Sequence, residues 1–203
     1  MKIVLASGSP RRKEILENMN LKFDIIKSEI EETKIENESP ENLVKRLSYE
    51  KAYDVASKNM KDIVIGADTV VVLENKVLGK PKNKKEAFEM LNRMSGKEHS
   101  VITGVSILCL DLKKEVSNFY VSKVKFKNLS DEDIYSYIDT GECMDKAGAY
   151  GIQGLGGLLV EYIKGDYFNI VGFPISSTSE ILKNDFNIDL LKLNKDRFSF
   201  DNK

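Results

Sequence analysis

The sequence predicts a single α/β domain, and three observations carry that prediction. The chain opens with a strand-type run at residues 2–5 that passes through a loop of small residues into a helix start at Ser9-Pro10. Its most apolar stretch, residues 63–73, is rich in β-branched side chains and reads as a central strand. Residues 115–127 alternate polar and apolar positions, as a half-exposed antiparallel strand does. At 203 residues, 41% hydrophobic and 31% charged, the chain can build one substantial core or two lobes sharing a cleft. One domain over residues 1–203, with a polar and loose tail from about 194 to 203, is the simpler expectation.

In the first unit, Ser9 is placed to cap a helix and Pro10 to occupy its first position, where a missing N–H costs nothing. Small residues at Ser7, Gly8 and Ser9 let backbone N–H groups approach an anion, and Arg11 and Arg12 add forked donors at a helix N-terminus. This is either a phosphate cradle without a P-loop consensus or an ordinary strand-to-helix turn with solvated arginines. A helix over 10–18 and a short strand over 21–26 lead to the acidic run Glu29-Ile30-Glu31-Glu32. Those carboxylates are either a solvated loop or hard oxygen ligands for a divalent cation, and sequence alone favours the loop. Ser39-Pro40 repeats the cap-then-proline start, with Leu43, Leu47 and Val55 marking the buried stripe of a helix that ends near Asn59. Lys51 lies on that helix and by itself reads as solvated.

Asp68 interrupts the apolar run 63–73. A carboxylate there must be paired, metal-bound or facing a cleft, because burying an isolated charge is prohibitively costly. Gly66 and Ala67 beside it leave room for a ligand. Glu74-Asn75 reads as a hairpin turn, and 77–81 returns the chain past Lys80 to a proline. Asn83 with Glu86 makes a capping-box start, and Ala87, Met90, Leu91 and Met94 run down one face to Gly96, a C′ residue. His99 opens a strand over 99–110; as the only histidine it has no partner for a triad or a zinc site, so a structural role is expected. Ser130 caps a helix over 131–138 that stops at Gly141.

Five of the thirteen glycines fall between Gly148 and Gly157, which calls for unusual φ or close approach to a ligand. The spacing is not that of a dinucleotide-binding fingerprint, and a flexible linker would not carry Tyr150, Ile152 and Gln153 between its glycines. Strands are expected over 158–163 and 167–171, then a last helix from Pro174 to about Lys183.

A formal net charge of -1 supplies no global field toward DNA or membrane, so a small substrate is favoured over a polymer. Cys109 and Cys143 lack metal-ligand spacing and form no evident disulfide framework, which suits a reducing cytoplasm. The short N-terminal apolar run is no signal peptide, and no segment approaches transmembrane length.

Four stretches in this order, Leu5-Ala-Ser-Gly-Ser-Pro-Arg-Arg12, Gly66-Ala-Asp-Thr69, Ser95-Gly-Lys-Glu-His99 and Asp145-Lys-Ala-Gly-Ala-Tyr-Gly-Ile-Gln-Gly154, resemble the Maf family of nucleoside triphosphate pyrophosphatases. The resemblance spans residues 1–182. It implies a long, curved mixed sheet flanked by helices, two lobes with a central cleft, and a fold like that of inosine triphosphatase. It further implies hydrolysis between the α and β phosphates with a divalent cation, Mg²⁺ or Mn²⁺. Carried over by motif, Asp68 matches the proton acceptor, and Arg12, Thr69 and Gln153 match positions tied to base choice in the dTTP/UTP subgroup. Lys51, Lys80 and Glu32 match its lysine and glutamate positions. Gly141-Glu142-Cys143-Met144 departs from the Glu-Pro pair that many members show, which affects local loop shape.

On this reading Ser7, Ser9, Arg11, Lys51 and Lys80 hold phosphate, Glu32 and Asp68 hold the metal, and Asp68 accepts the proton of the attacking water. The partner is a small nucleoside triphosphate, with no nucleic acid polymer and no membrane; a homodimer is the assembly to test. The alternative is a nucleotide-sensing regulator of cell division, which the intact Asp68 among cations disfavours because a sensor needs no general base.

Overall fold

An almost uninterrupted apolar run leaves a strand no solvated face, so the sheet is built outward from it. The computed structural model describes residues 1–33 and 35–194. In chain order its elements are β1 (Ile3–Leu5), α1 (Pro10–Asn18), β2 (Asp24–Ile25), α2 (Pro40–Lys58), β3 (Ile63–Leu73), β4 (Lys76–Leu78) and α3 (Lys84–Met94). There follow β5 (Glu98–Cys109), β6 (Lys114–Phe126), α4 (Asp131–Asp139), two 3₁₀ turns (Ala147–Ala149 and Leu155–Leu159), β7 (Val160–Lys164), α5 (Tyr167–Val171), α6 (Ile175–Phe186) and α7 (Leu190–Leu193). Among the described residues seven strands form one mixed sheet, in the order β2-β1-β3-β5-β6-β7, with β4 paired to β3. β1 runs parallel to β2 and β3; the other pairs are antiparallel.

One edge of β3 is paired to β5 from Val64 to Val72. The other edge meets β1 only over Ile63–Ile65 and β4 only over Val71–Leu73. Among the described residues, residues 66–70 therefore have no strand partner on that side, and side chains from both faces of β3 reach the gap. Asp68 and Thr69 lie in it.

The two faces differ. Odd-numbered β3 residues pass through two apolar cores: Ile63, Ile65 and Ala67 pack with α1 and α6, whereas Val71 and Leu73 pack with α3 and α4. Thr69 falls between these cores, which gives the two lobes and the cleft at their junction. Even-numbered residues face α2. Gly66 and its neighbour Gly104 on β5 let α2 settle onto the sheet: an added Cβ would lie 2.2 Å from the Ser48 carbonyl oxygen at Gly66 and 2.1 Å from that of Val44 at Gly104. The buried stripe of α2 is Val44, Leu47, Ser48, Ala52, Val55 and Ala56; Leu43 is only partly buried.

Several local expectations change. Ser9 occupies the cap position of α1 but its side chain makes no capping bond. The expected capping box at Asn83 is half formed: Asn83 accepts from Glu86 N–H, while the Glu86 carboxylate accepts from Lys82 N–H. The reciprocal box forms instead at Ser130 and Asp133. Residues 167–171, expected as a strand, form α5, because Asp166 accepts from the Phe168 N–H at one end and Gly172 turns left-handed (φ 109°) at the other. The strand expected over 158–163 begins later, after a 3₁₀ turn, and the last expected helix runs on to Phe186 with α7 beyond it. Of the tail expected from 194, only Asn194 lies within the described residues, and its Nδ2 donates to the carbonyls of Met19 and Leu190.

Candidate active site

The gap beside β3 opens into a cleft of about 860 Å³. Of the ten residues singled out in the sequence, nine line it: Ser9, Arg11, Arg12, Glu32, Lys51, Asp68, Thr69, Lys80 and Gln153. Ser7 does not. It is buried behind the cleft, where its hydroxyl oxygen accepts from Arg12 Nη1 at 3.0 Å and from the Ser9 N–H at 3.3 Å.

At the centre, Lys51 Nζ lies 2.6 Å from Asp68 Oδ1 and 2.6 Å from Glu32 Oε1. The seating of α2 against Gly66 brings the lysine this close. Glu32 is delivered from the other side by a loop that α2 also holds: the Glu29 N–H donates to Asp54, and Arg46 donates to the Thr33 carbonyl while forking onto Glu38. Burial pushes the Asp68 carboxyl above its ordinary range, against the pull of Lys51 and Arg12. The hydrogen bond from Lys51 holds Glu32 below its own.

Arg12 is an anchor as much as a cleft residue. Its Nε donates to the Gly172 carbonyl, Nη1 to Ser7 and the Ala67 carbonyl, and Nη2 to Thr69 Oγ1. Of the five N–H groups of a guanidinium, one is left to face a ligand. The Thr69 hydroxyl passes the chain on. Because an arginine can only donate and the Asn169 carbonyl can only accept, the order is fixed as Arg12 to Thr69 to Thr103 to Asn169. By contrast the side chains of Arg11, Lys80 and Gln153 make no hydrogen bond or ion pair within the described residues, and Lys80 and Gln153 are exposed.

The glycine-rich segment is shaped by a residue the sequence did not single out. Glu142 accepts from the Leu155 N–H at Oε2 (2.9 Å) and from the Gly156 N–H and the Tyr137 hydroxyl at Oε1 (3.1 and 3.0 Å). Tyr137 in turn accepts from the Gly151 N–H. The glycines make room for this: a Cβ at Gly154 would lie 2.3 Å from Glu142 Oε2, and one at Gly156 would lie 2.6 Å from the Gly151 carbonyl. Their density is thus explained at these positions by an internal carboxylate. Gly148, at φ +68°, packs on Val71. In the sequence Glu142 stood out only within the departure at residues 141–144 that affects local loop shape, and the glycines by themselves point equally well to a ligand.

Five cationic and four acidic side chains line the cleft, among them Lys146 with Glu142 and Asp145. Among the described residues no three carboxylate, histidine or cysteine side chains cluster as a complete metal site. Glu32 and Asp68 offer two carboxylates, which suits a hard cation that takes its remaining oxygens from phosphate and water. No helix of the described residues is long and apolar enough to cross a membrane.

Comparison with known proteins shows what the chain as a whole is similar to. A family model described as Maf-like protein matches residues 2–185. The dTTP/UTP pyrophosphatase of Clostridioides difficile (strain 630) is 60% identical over 190 residues, covering 94% of this chain and 98% of its own. That of Thermoanaerobacter sp. (strain X514) is 55% identical over 192 residues, covering 94% and 100%. Among solved structures, a HAM1 protein from Coxiella burnetii aligns over 64% of this chain and 74% of its own at 15% identity, with a TM-score of 0.47.

Proposed function

The chain belongs to the Maf family, and from that premise we propose that it hydrolyses dTTP and UTP, and modified pyrimidine nucleotides of the same edge chemistry, to the monophosphate and pyrophosphate. The role is the clearing of the nucleotide pool. The observation that carries the reading to individual residues is the Glu32–Lys51–Asp68 set facing a cleft with unpaired cations on its walls.

A nucleoside triphosphate carries about four negative charges, and the cleft's own charges nearly cancel. Arg11 and Lys80, whose side chains make no hydrogen bond or ion pair among the described residues, are free to meet it, and the N-terminus of α1, without a side-chain cap, adds backbone donors. Glu32 and Asp68 would hold a divalent cation, Mg²⁺ or Mn²⁺, which when bound screens the phosphate charge and polarises the anhydride. Lys51 fixes the two carboxylates relative to each other. Asp68, raised by burial, is the group placed to accept a proton from water: Lys51 occupies Oδ1 and leaves Oδ2. Arg12, bonded to Ala67, Thr69 and Gly172, holds the strand that carries Asp68.

Gln153 is exposed at the cleft and unpartnered, so both ends of its amide are available. Its oxygen can accept from N3–H of uracil or thymine while its NH₂ donates to O4; cytosine reverses both groups. Such a site rejects cytosine far better than it senses the thymine methyl. Cys109 and Cys143 are buried and free, which supports placing the enzyme in a reducing cytoplasm.

The test is a panel of nucleoside triphosphates with Mg²⁺, scoring pyrophosphate against orthophosphate release. Pyrophosphate from UTP and dTTP in preference to CTP and the purines is the expected result. Stoichiometric orthophosphate, in the absence of any added pyrophosphatase, would refute it.

A further inference from the structure

Glu142 binds its own loop at three points. Its carboxylate accepts the Leu155 and Gly156 N–H groups, and through the Tyr137 hydroxyl it is linked to the Gly151 N–H. Gln153 lies between these tied positions, so the loop is fixed on both sides of it. Among the described residues no hydrogen bond or ion pair holds the Gln153 side chain. Its direction is therefore set by the backbone, which Glu142 holds together with the turn bonds from Gly154 N–H to the Gly151 carbonyl and from Gly157 N–H to the Gly154 carbonyl. The carboxylate is partly buried; burial alone would raise its pKa, but the two N–H donors and the tyrosine outweigh this and hold it ionised.

We propose that Glu142 is a positioning residue for substrate choice, holding the loop so that Gln153 meets the pyrimidine edge in register. The inference rests on the assignment of base reading to Gln153. Glutamine at position 142 keeps the size, but an NH₂ replaces one of the two accepting oxygens and meets a backbone N–H donor to donor. The loop then shifts locally, and what is lost is register rather than phosphate binding.

The experiment measures kcat/KM for UTP and CTP, with melting temperature, in Glu142→Gln, Tyr137→Phe, Gln153→Ala and the double variant Glu142→Gln/Gln153→Ala. The UTP-to-CTP ratio should fall about tenfold in Glu142→Gln, and in the same direction but less in Tyr137→Phe. In the Gln153→Ala background Glu142→Gln should lower the ratio no further. The inference is overturned if Glu142→Gln, melting like wild type, loses UTP and CTP activity in equal proportion, or if its ratio falls as far without Gln153. Gln153→Ala alone separates the two readings. A wild-type ratio there removes the base-reading assignment and this inference with it; a lowered ratio with Glu142→Gln unaffected removes this inference only. If Glu142→Gln fails to fold, Tyr137→Phe, alone and combined with Gln153→Ala, decides by the same criteria.

Discussion

Replacing Gly66 by alanine should disable the site without touching any group in it. The new Cβ would lie 2.2 Å from the Ser48 carbonyl oxygen and 2.8 Å from the Ala52 nitrogen, both backbone atoms of α2, so no rotamer relieves the clash. Bringing the shorter contact to an allowed separation requires α2 to move away from β3 by roughly 1 Å, an overpacking that typically costs about 1–3 kcal/mol. For a chain of this size the melting temperature should drop by about 3–10 °C. Lys51 sits next to Ala52 and travels with the helix, so its 2.6 Å contact with Asp68 is stretched. A displacement of about 1 Å in a reacting constellation costs about a hundredfold in rate. The assay is a thermal melt together with kcat/KM for pyrophosphate release from UTP. Gly79→Ala, where an added Cβ meets nothing within 4 Å, is the stability control. A Gly66→Ala protein that melts with the wild type and keeps its kcat/KM would show that the missing Cβ does not seat α2.

Asp68→Asn should lose about 10²–10⁴ in turnover while binding nucleotide. Because burial raises the folded pKa of Asp68, its ionised form is a penalty above that pKa that vanishes below the ordinary carboxylate range. The variant should therefore melt at or above wild type at neutral pH and match it near about pH 3; a lower neutral melting temperature contradicts the assignment. Gln153→Glu places an acceptor opposite O4, so UTP and dTTP activity should fall by about one to two decades while CTP falls less or gains; equal losses would reduce Gln153 to a loop residue. His99 is buried, with Nε2 2.8 Å from the Tyr150 hydroxyl, and burial lowers its pKa to about 4. The unfolded chain binds the proton first as pH falls from about 6.5, so stability should decline from there toward pH 4 by up to about 3 kcal/mol. Melts across that range should show a shallower slope in His99→Gln, and an unchanged slope would assign the decline to other groups.

Much of the architecture was legible because single positions carried it. Asp68 stood out as a charge in an apolar run, Glu74-Asn75 as a hairpin with both residues at positive φ, and Gly96 as a left-handed C′ residue. Residues 167–171 misled because four of the five are β-branched or aromatic and resemble a strand; the flanking Asp166 and Gly172 were the competing signal, and caps prevailed over propensity. The unpaired stretch of β3 was not legible at all, since it depends on β1 and β4 each being three residues long and on where they pair. Arg46 and Asp54 carry no signal in the sequence that sets them apart from other helix charges, and only the folded loop shows what they hold. Lys51 and Glu32 were found through motif resemblance, because a lysine on a helix and one acid in a run of three have no distinguishing pattern.

The two grips of α2, Asp54 on the Glu29 backbone and Arg46 on the Thr33 backbone, straddle Glu32. Lys51 lies between them in sequence on the same helix. The separation of Glu32 from Asp68 is therefore gauged by one rigid bar resting on β3, and not by the length of chain that joins them. Lengthening the connections outside the grips leaves that gauge unchanged, whereas one substitution at Arg46 or Asp54 puts it out of calibration. α2, its seat at Gly66 and its two grips thus bring two carboxylates and the lysine between them to working distance as one unit.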